Sequence, residues 1–370
     1  MDSFAVDVEA CRDRQERLRE AIEPLNADLI LLTRRESVQW LTGLHVKSPF
    51  EPIAAMTVDG SVTLVVPNHL LDDSVAADEV FGYDGKWHAT NRDDQRSASS
   101  AELRPKLPRS PKQIACEFEA FAPTLLLDLN ASLIEIDAIL FELRRHKDAD
   151  ELKLMSRAND ANRAMYERAR QIVRPGLNEL ELFAELHRVA VKTLGEAPTY
   201  FGQDFRFGDS GGPPRNRAAQ AVELLILDLG VGFRGYHSDN CRTIAVDGVS
   251  DEQERAWEVV ADTFAILAGE IRPGMSCRYL YDLAHKHLNA HAPWTFDHHL
   301  GHGVGLAPHE GPHLNPRWDD ILAEGDFIAV EPGVYHESLK GGVRVEQNYL
   351  ITSTGAKLLS DWPLGLTTTV

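Results

Sequence analysis

The chain has 370 residues, 43% of them apolar, and a formal net charge of -19. Domains hold roughly 150 residues each, so two domains with separate cores are expected. The acidity argues against nucleic acid and anionic membrane as partners, since both recruit basic patches, and no apolar run approaches the ~20 residues that span a bilayer.

The opening stretch, MDSFAVDVEACRDRQ, has no basic segment followed by an apolar one, so a signal peptide is not expected and the expected compartment is the cytoplasm. Residues 7–24 carry Val8, Cys11, Leu18, Ala21 and Ile22 at helical spacing, and a strand-like run follows over 28–33. Runs at 53–58 and 62–66 flank Asp59-Gly60 and read as a hairpin. Residues 87–110 are polar and read as loop with one helix. Short strands are expected at 114–117 and 133–136, then helix from 138 to about 173 with a charged break at 146–150. Residues 1–148 thus alternate strand and helix and predict a small α/β domain, with the second domain over 149–370. Cys11, Cys116, Cys241 and Cys277 form no CxxC pair, which argues against a zinc finger or a disulfide framework and predicts reduced, mostly buried thiols.

The second domain contains an internal echo. IVRPGLNELEL at 172–182 and IRPGMSCRYL at 271–280 each end one helix on Pro-Gly and restart another from a capping residue, Asn178 or Ser276. Each second helix leads to an apolar strand with an acid near its end, Asp228 in one copy and Glu331 in the other. Each copy then offers another acid on the next run, Asp239 and Glu346. A hairpin at 232–235 would set Asp228 beside Asp239, and one whose turn contains Gly341-Gly342 would relate Glu331 to Glu346. Two such halves could pack about a pseudo-twofold axis and gather four carboxylates.

Taken alone, Asp228 reads as a cap on the turn that follows it. Four clustered carboxylates would repel one another, and divalent cations are the usual remedy. Carboxylates with one imidazole suit Mn, Co or Zn, and two ions can share and activate a water. The imidazole is expected from FDHHLGHGVGLAPHEGPHL, which holds His298, His299, His302, His309 and His313. His309-Glu310-Gly311-Pro312-His313 matches H-E-x-x-H, but that pattern works only on a helix, which Gly-Pro breaks. Gly301 to Gly305 is glycine-rich yet lacks the Lys-Ser/Thr of a phosphate loop.

LLILDLG, GYHSDNCRT, GHGVGLAPHE, VEPGVY and GGVRVEQNYLIT, in that order, resemble the motifs of the pita-bread hydrolases, the family of aminopeptidase P, prolidase, methionine aminopeptidase and creatinase. RQERLREAIEPLNADLILLTRRESVQWLTGL is similar to the start of the creatinase/prolidase N-terminal domain, which points to the aminopeptidase P, prolidase and creatinase branch. The resemblance implies an α+β chain, with a pita-bread catalytic domain of pseudo-twofold halves after a smaller α/β domain. It implies metal ligands Asp228, Asp239, His302, Glu331 and Glu346, with Asp239 and Glu346 bridging two divalent ions, Mn first and Co or Zn as alternatives. It further implies that His309 hydrogen-bonds the substrate or intermediate, that Glu331 shuttles a proton, and that Arg344 orients Glu346 or the substrate. A surface ion pair is the alternative for Arg344.

One departure stands out. Relatives carry a histidine about seventeen residues before the first Asp, whereas here the loop reads GDSGGPPRNRAAQ, with Asp209, Arg215 and Arg217 as candidates to sit near the substrate. The resemblance implies a dinuclear hydrolase in which a metal-bridged hydroxide attacks the carbonyl of an Xaa-Pro bond, as a dipeptidase or aminopeptidase, and a homodimer. Alternatives are a hydrolase of a non-peptide amide or amidine and a non-catalytic binding protein.

Overall fold

The computed structural model describes residues 4–71, 74–120, 122–126 and 130–367. It forms two compact units, Met1–Arg144 and Arg145–Val370.

In the first unit the helix Val8–Ile22 starts at Asp7, whose carboxylate accepts from the Ala10 N–H at 3.2 Å, and it buries Cys11, Leu18 and Ile22. The strand Leu29–Leu32 is apolar at all four positions because it lies inside a six-stranded sheet and is covered on both faces. It pairs antiparallel with Ile53–Thr57 and parallel with Gln113–Cys116. Ile53–Thr57 and Val62–Pro67 form the expected hairpin, with Gly60 at φ 88° in its turn. The polar stretch contains one helix, Gln95–Leu103.

The second unit begins where Arg145 pairs with Asp326 at 2.8 Å and Lys147 with Glu310 at 2.6 Å, contacts that hold residues 145–147 to it. Its long helix, Ala149–Ile172, opens with a capping box between Asp148 and Glu151. The helix then grips a three-stranded antiparallel sheet: Asn162 Nδ2 donates to the Leu229 carbonyl at 2.6 Å, and the Tyr166 hydroxyl to that of Leu227 at 3.1 Å. That sheet consists of Tyr200–Phe207, Leu224–Phe233 and Tyr236–Ala245, with the middle strand buried throughout.

The echo in the sequence is an echo in hydrogen bonding. Asn178 and Ser276 cap Glu179–Leu194 and Cys277–Leu288. The Gly176 N–H donates to the Ala219 carbonyl at 2.9 Å, and the Gly274 N–H to that of Leu322 at 2.8 Å. Ala219 returns a bond to Leu177, and Leu322 returns one to Met275, both at 2.9 Å. Glu179 and Cys277 likewise donate to Arg217 and Asp320. The two halves thus repeat one backbone pattern.

The second half places Phe327–Val330 and Gln347–Ile351 in a five-stranded sheet, and Gly333–His336 and Gly341–Arg344 in a ribbon. Here one expectation needs correction. Gly341 and Gly342 open the returning strand and do not form the turn, which runs through Glu337–Leu339 and reverses at Lys340 with φ 51°. Gly342 is required by packing, since a Cβ there would meet Tyr335 Cδ1 at 2.3 Å. All four cysteines are free and buried. Among the described residues, no helix is long and apolar enough to cross a membrane.

Candidate metal centre

Arg234 and Gly235, both at positive φ, turn the chain so that Gly230 faces Asp239 and Asp228 faces Cys241 across neighbouring strands. Asp228 and Asp239 therefore lie diagonally on one face of the sheet. Glu331 and Glu346 sit at breaks between strands, bracketed by the pairs Val330 with Gln347 and Gly333 with Arg344. The halves are joined where the Glu346 N–H donates to the Cys241 carbonyl at 3.0 Å. Asn348 Nδ2 donates to the Asp239 carbonyl at 2.8 Å, and Asn240 Nδ2 to that of Glu346 at 3.2 Å. This stitching brings carboxylate oxygens of Asp228, Asp239 and Glu346 within 4.8 Å of one another.

His302 lies on the strand Gly301–Gly303, between glycines that admit close backbone approach: a Cβ at Gly301 would meet the Ala329 carbonyl oxygen at 2.0 Å. Its Nδ1 faces the Gly303 carbonyl at 3.0 Å, which fixes the proton there and turns the Nε2 lone pair inward. That Nε2 is 3.5 Å from both Asp239 Oδ2 and Glu331 Oε1. His309 stacks on His302 at 3.8 Å between centroids, is half exposed, and places its Nε2 4.0 Å from Asp239 Oδ2. All eight residue roles implied by sequence, carried by Asp228, Asp239, His302, His309, Glu331, Arg344 and Glu346, fall around one cavity of about 380 Å³.

The electrostatics of this cavity are those of a site built for cations. Burial, then the repulsion of neighbouring carboxylates, pushes Asp239 and Glu346 well above the usual carboxylate range. Asp228 rises to about 6, chiefly by burial, although Arg344 opposes the shift. Glu331 behaves otherwise: burial would raise it, but the hydrogen bond from His299 and the neighbouring His302 imidazole hold it well below 4.5. Burial and the neighbouring His302 push His309 down to about 4. Asp228 Oδ1 and Asp239 Oδ1 are buried without a hydrogen-bond partner. Oxygens left in this way, within a crowd of acids, fit divalent ions as their missing partners.

Arg344 is not a surface ion pair, and it does not hold Glu346. It is buried, donates from Nη2 to Asp228 at 2.8 Å and to Asp204, and from Nη1 to the Tyr335 hydroxyl at 3.2 Å. Arg215 and Arg217 do not reach the cavity either. Arg215 is spent on Glu179 at 2.8 Å and Asp209 at 2.9 Å, and Arg217 on Glu223. Asp209 is thereby tied up, and its neighbour Ser210 lines the cavity instead.

Asp204 and Tyr335, which carry no signal in the sequence, line the cavity, as do His298 and His299 of the histidine-rich stretch. Asp204 explains the departure in the loop. Gly211, seventeen residues before Asp228, has φ 133°, and a Cβ there would come 2.4 Å from Asp204 Oδ2. Asp204 thus fills the space that a side chain at 211 would need. His298 is fully engaged, with Nδ1 2.7 Å from the His299 carbonyl and Nε2 2.9 Å from the Tyr335 hydroxyl. The H-E-x-x-H look-alike is not helical, as its Gly-Pro predicts: Glu310–Leu314 is a strand.

Comparison with known proteins bears on this site. Residues 153–353 match the model of metallopeptidase family M24, and residues 14–146 that of the creatinase/prolidase N-terminal domain. An uncharacterised peptidase of Bacillus subtilis is 27% identical over 357 residues, covering 94% of this chain and 98% of its own length. An Xaa-Pro dipeptidase of Pyrococcus furiosus is 31% identical over 231 residues, 61% of this chain and 66% of the relative. Among solved structures, a prolidase from Pyrococcus horikoshii superposes with a TM-score of 0.80 at 22% identity, covering 96% of this chain and 99% of that one. An Xaa-Pro dipeptidase from Bacillus anthracis gives 0.81 at 23% identity, with the same coverage. These structural matches establish a shared fold.

Proposed function

The chain belongs to metallopeptidase family M24 and is a metal-dependent peptidase, and on that premise we propose that it is a dinuclear enzyme cleaving Xaa-Pro bonds, as a dipeptidase or aminopeptidase. The observation that carries the dinuclear reading is the pair of buried, partnerless oxygens on Asp228 and Asp239 beside Glu346. Asp228, Asp239, His302, Glu331 and Glu346 would hold two ions, Asp239 and Glu346 as the ligands common to both, with Mn first and Co or Zn as alternatives. Ions held there would supply an activated water and polarisation of the scissile carbonyl.

The protein's own groups do the rest. His309, held neutral by its depressed pKa of about 4, can donate a hydrogen bond from Nε2 to the oxyanion. Glu331, kept ionised by its histidine partners, can accept the proton released from water and pass it to the leaving nitrogen. Arg344 fixes Asp228 in place. In this reading residues 149–370 carry the chemistry, residues 1–148 form a separate domain, and the enzyme is a cytoplasmic homodimer.

A panel of Xaa-Pro dipeptides and longer Xaa-Pro peptides, assayed on metal-loaded enzyme beside ring-amide and amidine compounds, tests the substrate. Turnover confined to Xaa-Pro peptides is expected. Turnover of only the non-peptide compounds would sink the Xaa-Pro reading. Metal analysis should return close to two ions per chain, and light scattering should return the mass of a dimer.

A further inference from the structure

His309 reaches the site from a loop whose shape is set outside the cavity. Its ring stacks on His302 and, among the described residues, makes no hydrogen bond, so the backbone of residues 304–310 has to aim it. At the start of that loop the Val304 N–H donates to the Phe327 carbonyl at 3.0 Å, and the Gly305 carbonyl accepts from the His237 N–H at 2.8 Å. At its other end Glu310, the residue after His309, folds its carboxylate back onto Gly305, where a Cβ would meet Glu310 Oε1 at 2.3 Å. The same Oε1 accepts from Lys147 Nζ at 2.6 Å, and Lys147 Cε would lie 2.8 Å from that Cβ. One ion pair thus lies across the base of the loop, with both ends of the loop against it.

The Lys147 side chain is 1% exposed and that of Glu310 13%, so neither charge has water as a ready substitute for the other. The Lys147 backbone is fixed: its N–H donates to the Gly325 carbonyl at 3.0 Å, and the capping box of the long helix begins at the next residue, Asp148. Lys147 is therefore the anchor, and the loop is the part that can move. A carboxylate that loses its buried cation is driven outward to water. Glu310 can follow that course only by leaving Gly305 and releasing the loop. We propose that Lys147 is a positioning residue, which through Glu310 locks residues 304–309 and holds the His309 imidazole over His302. This inference rests on the role of His309 in the reading above. It gives a residue that does not line the cavity control over turnover, because a misplacement of about 1 Å at a reacting group can cost about 10²-fold in rate.

Hydrogen exchange on the metal-free full chain reads the lock itself. Lys147→Met removes the cation at similar length. Amides of residues 304–310 should exchange at least about tenfold faster in this variant, while those of the buried strand Leu224–Phe233 keep wild-type rates. Unchanged exchange at 304–310, or a rise of the same size in both segments, would overturn the proposal. Kinetics of the metal-loaded enzyme read what the lock serves. Lys147→Met should lower kcat by about 10- to 100-fold with KM and metal content at wild-type levels, since His309 acts on the transition state. In a His309→Ala background the same substitution should change kcat by less than about twofold. Equal losses in both backgrounds, or loss of an ion, would mean that Lys147 does not act through His309 and would overturn the proposal. Lys147→Arg keeps the cation and should fall between Lys147→Met and wild type in both measurements. Should Lys147→Met fail to fold, Glu310→Gln, which keeps an acceptor and removes the charge, carries the same exchange measurement and the same cycle. A His309→Ala enzyme with wild-type turnover would instead remove the role of His309, and this inference with it.

Discussion

Arg344 Nη2 lies 2.8 Å from Asp228 Oδ2, and the same nitrogen also donates to Asp204. Asp204 and Asp228 are directly opposed on adjacent strands, so one guanidinium separates two carboxylates that would otherwise face each other. Removing one partner of a buried ionic network costs about 3–5 kcal/mol when charge is left uncompensated. Arg344→Ala is therefore expected to lower the stability of the metal-free protein by a few kcal/mol, measured by urea unfolding. It should also reduce kcat at least tenfold in the metal-loaded enzyme. Arg344→Lys cannot span both acids from one planar fork, and should recover stability better than turnover.

Gly211 and Asp204 form a second linked pair. A histidine at 211, as relatives are expected to have, would need φ 133° from a non-glycine residue and would bring its Cβ to 2.4 Å from Asp204 Oδ2. Gly211→His alone should lower the melting temperature. Combined with Asp204→Ala, which clears the collision, the loss should be smaller, and a double-mutant cycle reads the coupling. Additive effects would show that the two positions do not compete for space.

Glu346 separates chemistry from folding. Its carboxylate is buried among others that repel it, so it opposes folding of the metal-free chain. Glu346→Ala should abolish turnover and leave the melting temperature of the metal-free protein unchanged or raised. Retained turnover would remove Glu346 from the site.

His309 makes a fourth test. It is half exposed and touches the site mainly by stacking on His302. His309→Ala should lower kcat by 10²–10³, the range for loss of one oxyanion donor, while metal content stays at the wild-type level. Loss of an ion in this variant would mean that His309 ligates and does not stabilise charge.

The ligand residues were legible because their chemistry is local. Asp228 ends a run of buried apolar residues, where an unpaired acid is too costly, and His302 sits between glycines that only a crowded backbone requires. The duplicated caps at Asn178 and Ser276 exposed the two halves for the same reason. Asp204 was not legible. YFGQDFRF is mostly half-buried and shows no clean alternation, and its acid meets Asp228 only through strand register. Arg215 and Arg217 misled for a related reason: their partners, Glu179 and Glu223, are brought to them by the turn that closes the first half. The approach of His299 to Glu331 likewise depends on pairing between distant segments, which no local pattern encodes.

The raised carboxylates give metal removal a pH signature with a definite sign. Asp228 has a folded pKa of about 6, above its ordinary 3.8, and burial moves Asp239 and Glu346 in the same direction. In the metal-free protein, then, the folded state binds more protons than the unfolded state between about pH 4 and 6 and above. Stability is highest below the ordinary pKa and is lost as pH rises through the raised values. Glu331, whose pKa is lowered, contributes oppositely only below 4.5, outside this window; His309, pushed down from 6.5 to about 4, opposes within it, but is one group against three raised carboxylates. The metal-free protein should therefore melt at a lower temperature at pH 7.5 than at pH 5.5. With Mn, Co or Zn bound, ions stabilise the charged carboxylates and protons compete with them, so the slope should reverse. Differential scanning calorimetry at both pH values, with and without metal, measures the crossing; parallel pH profiles in the two forms would show that these acids do not hold the ions.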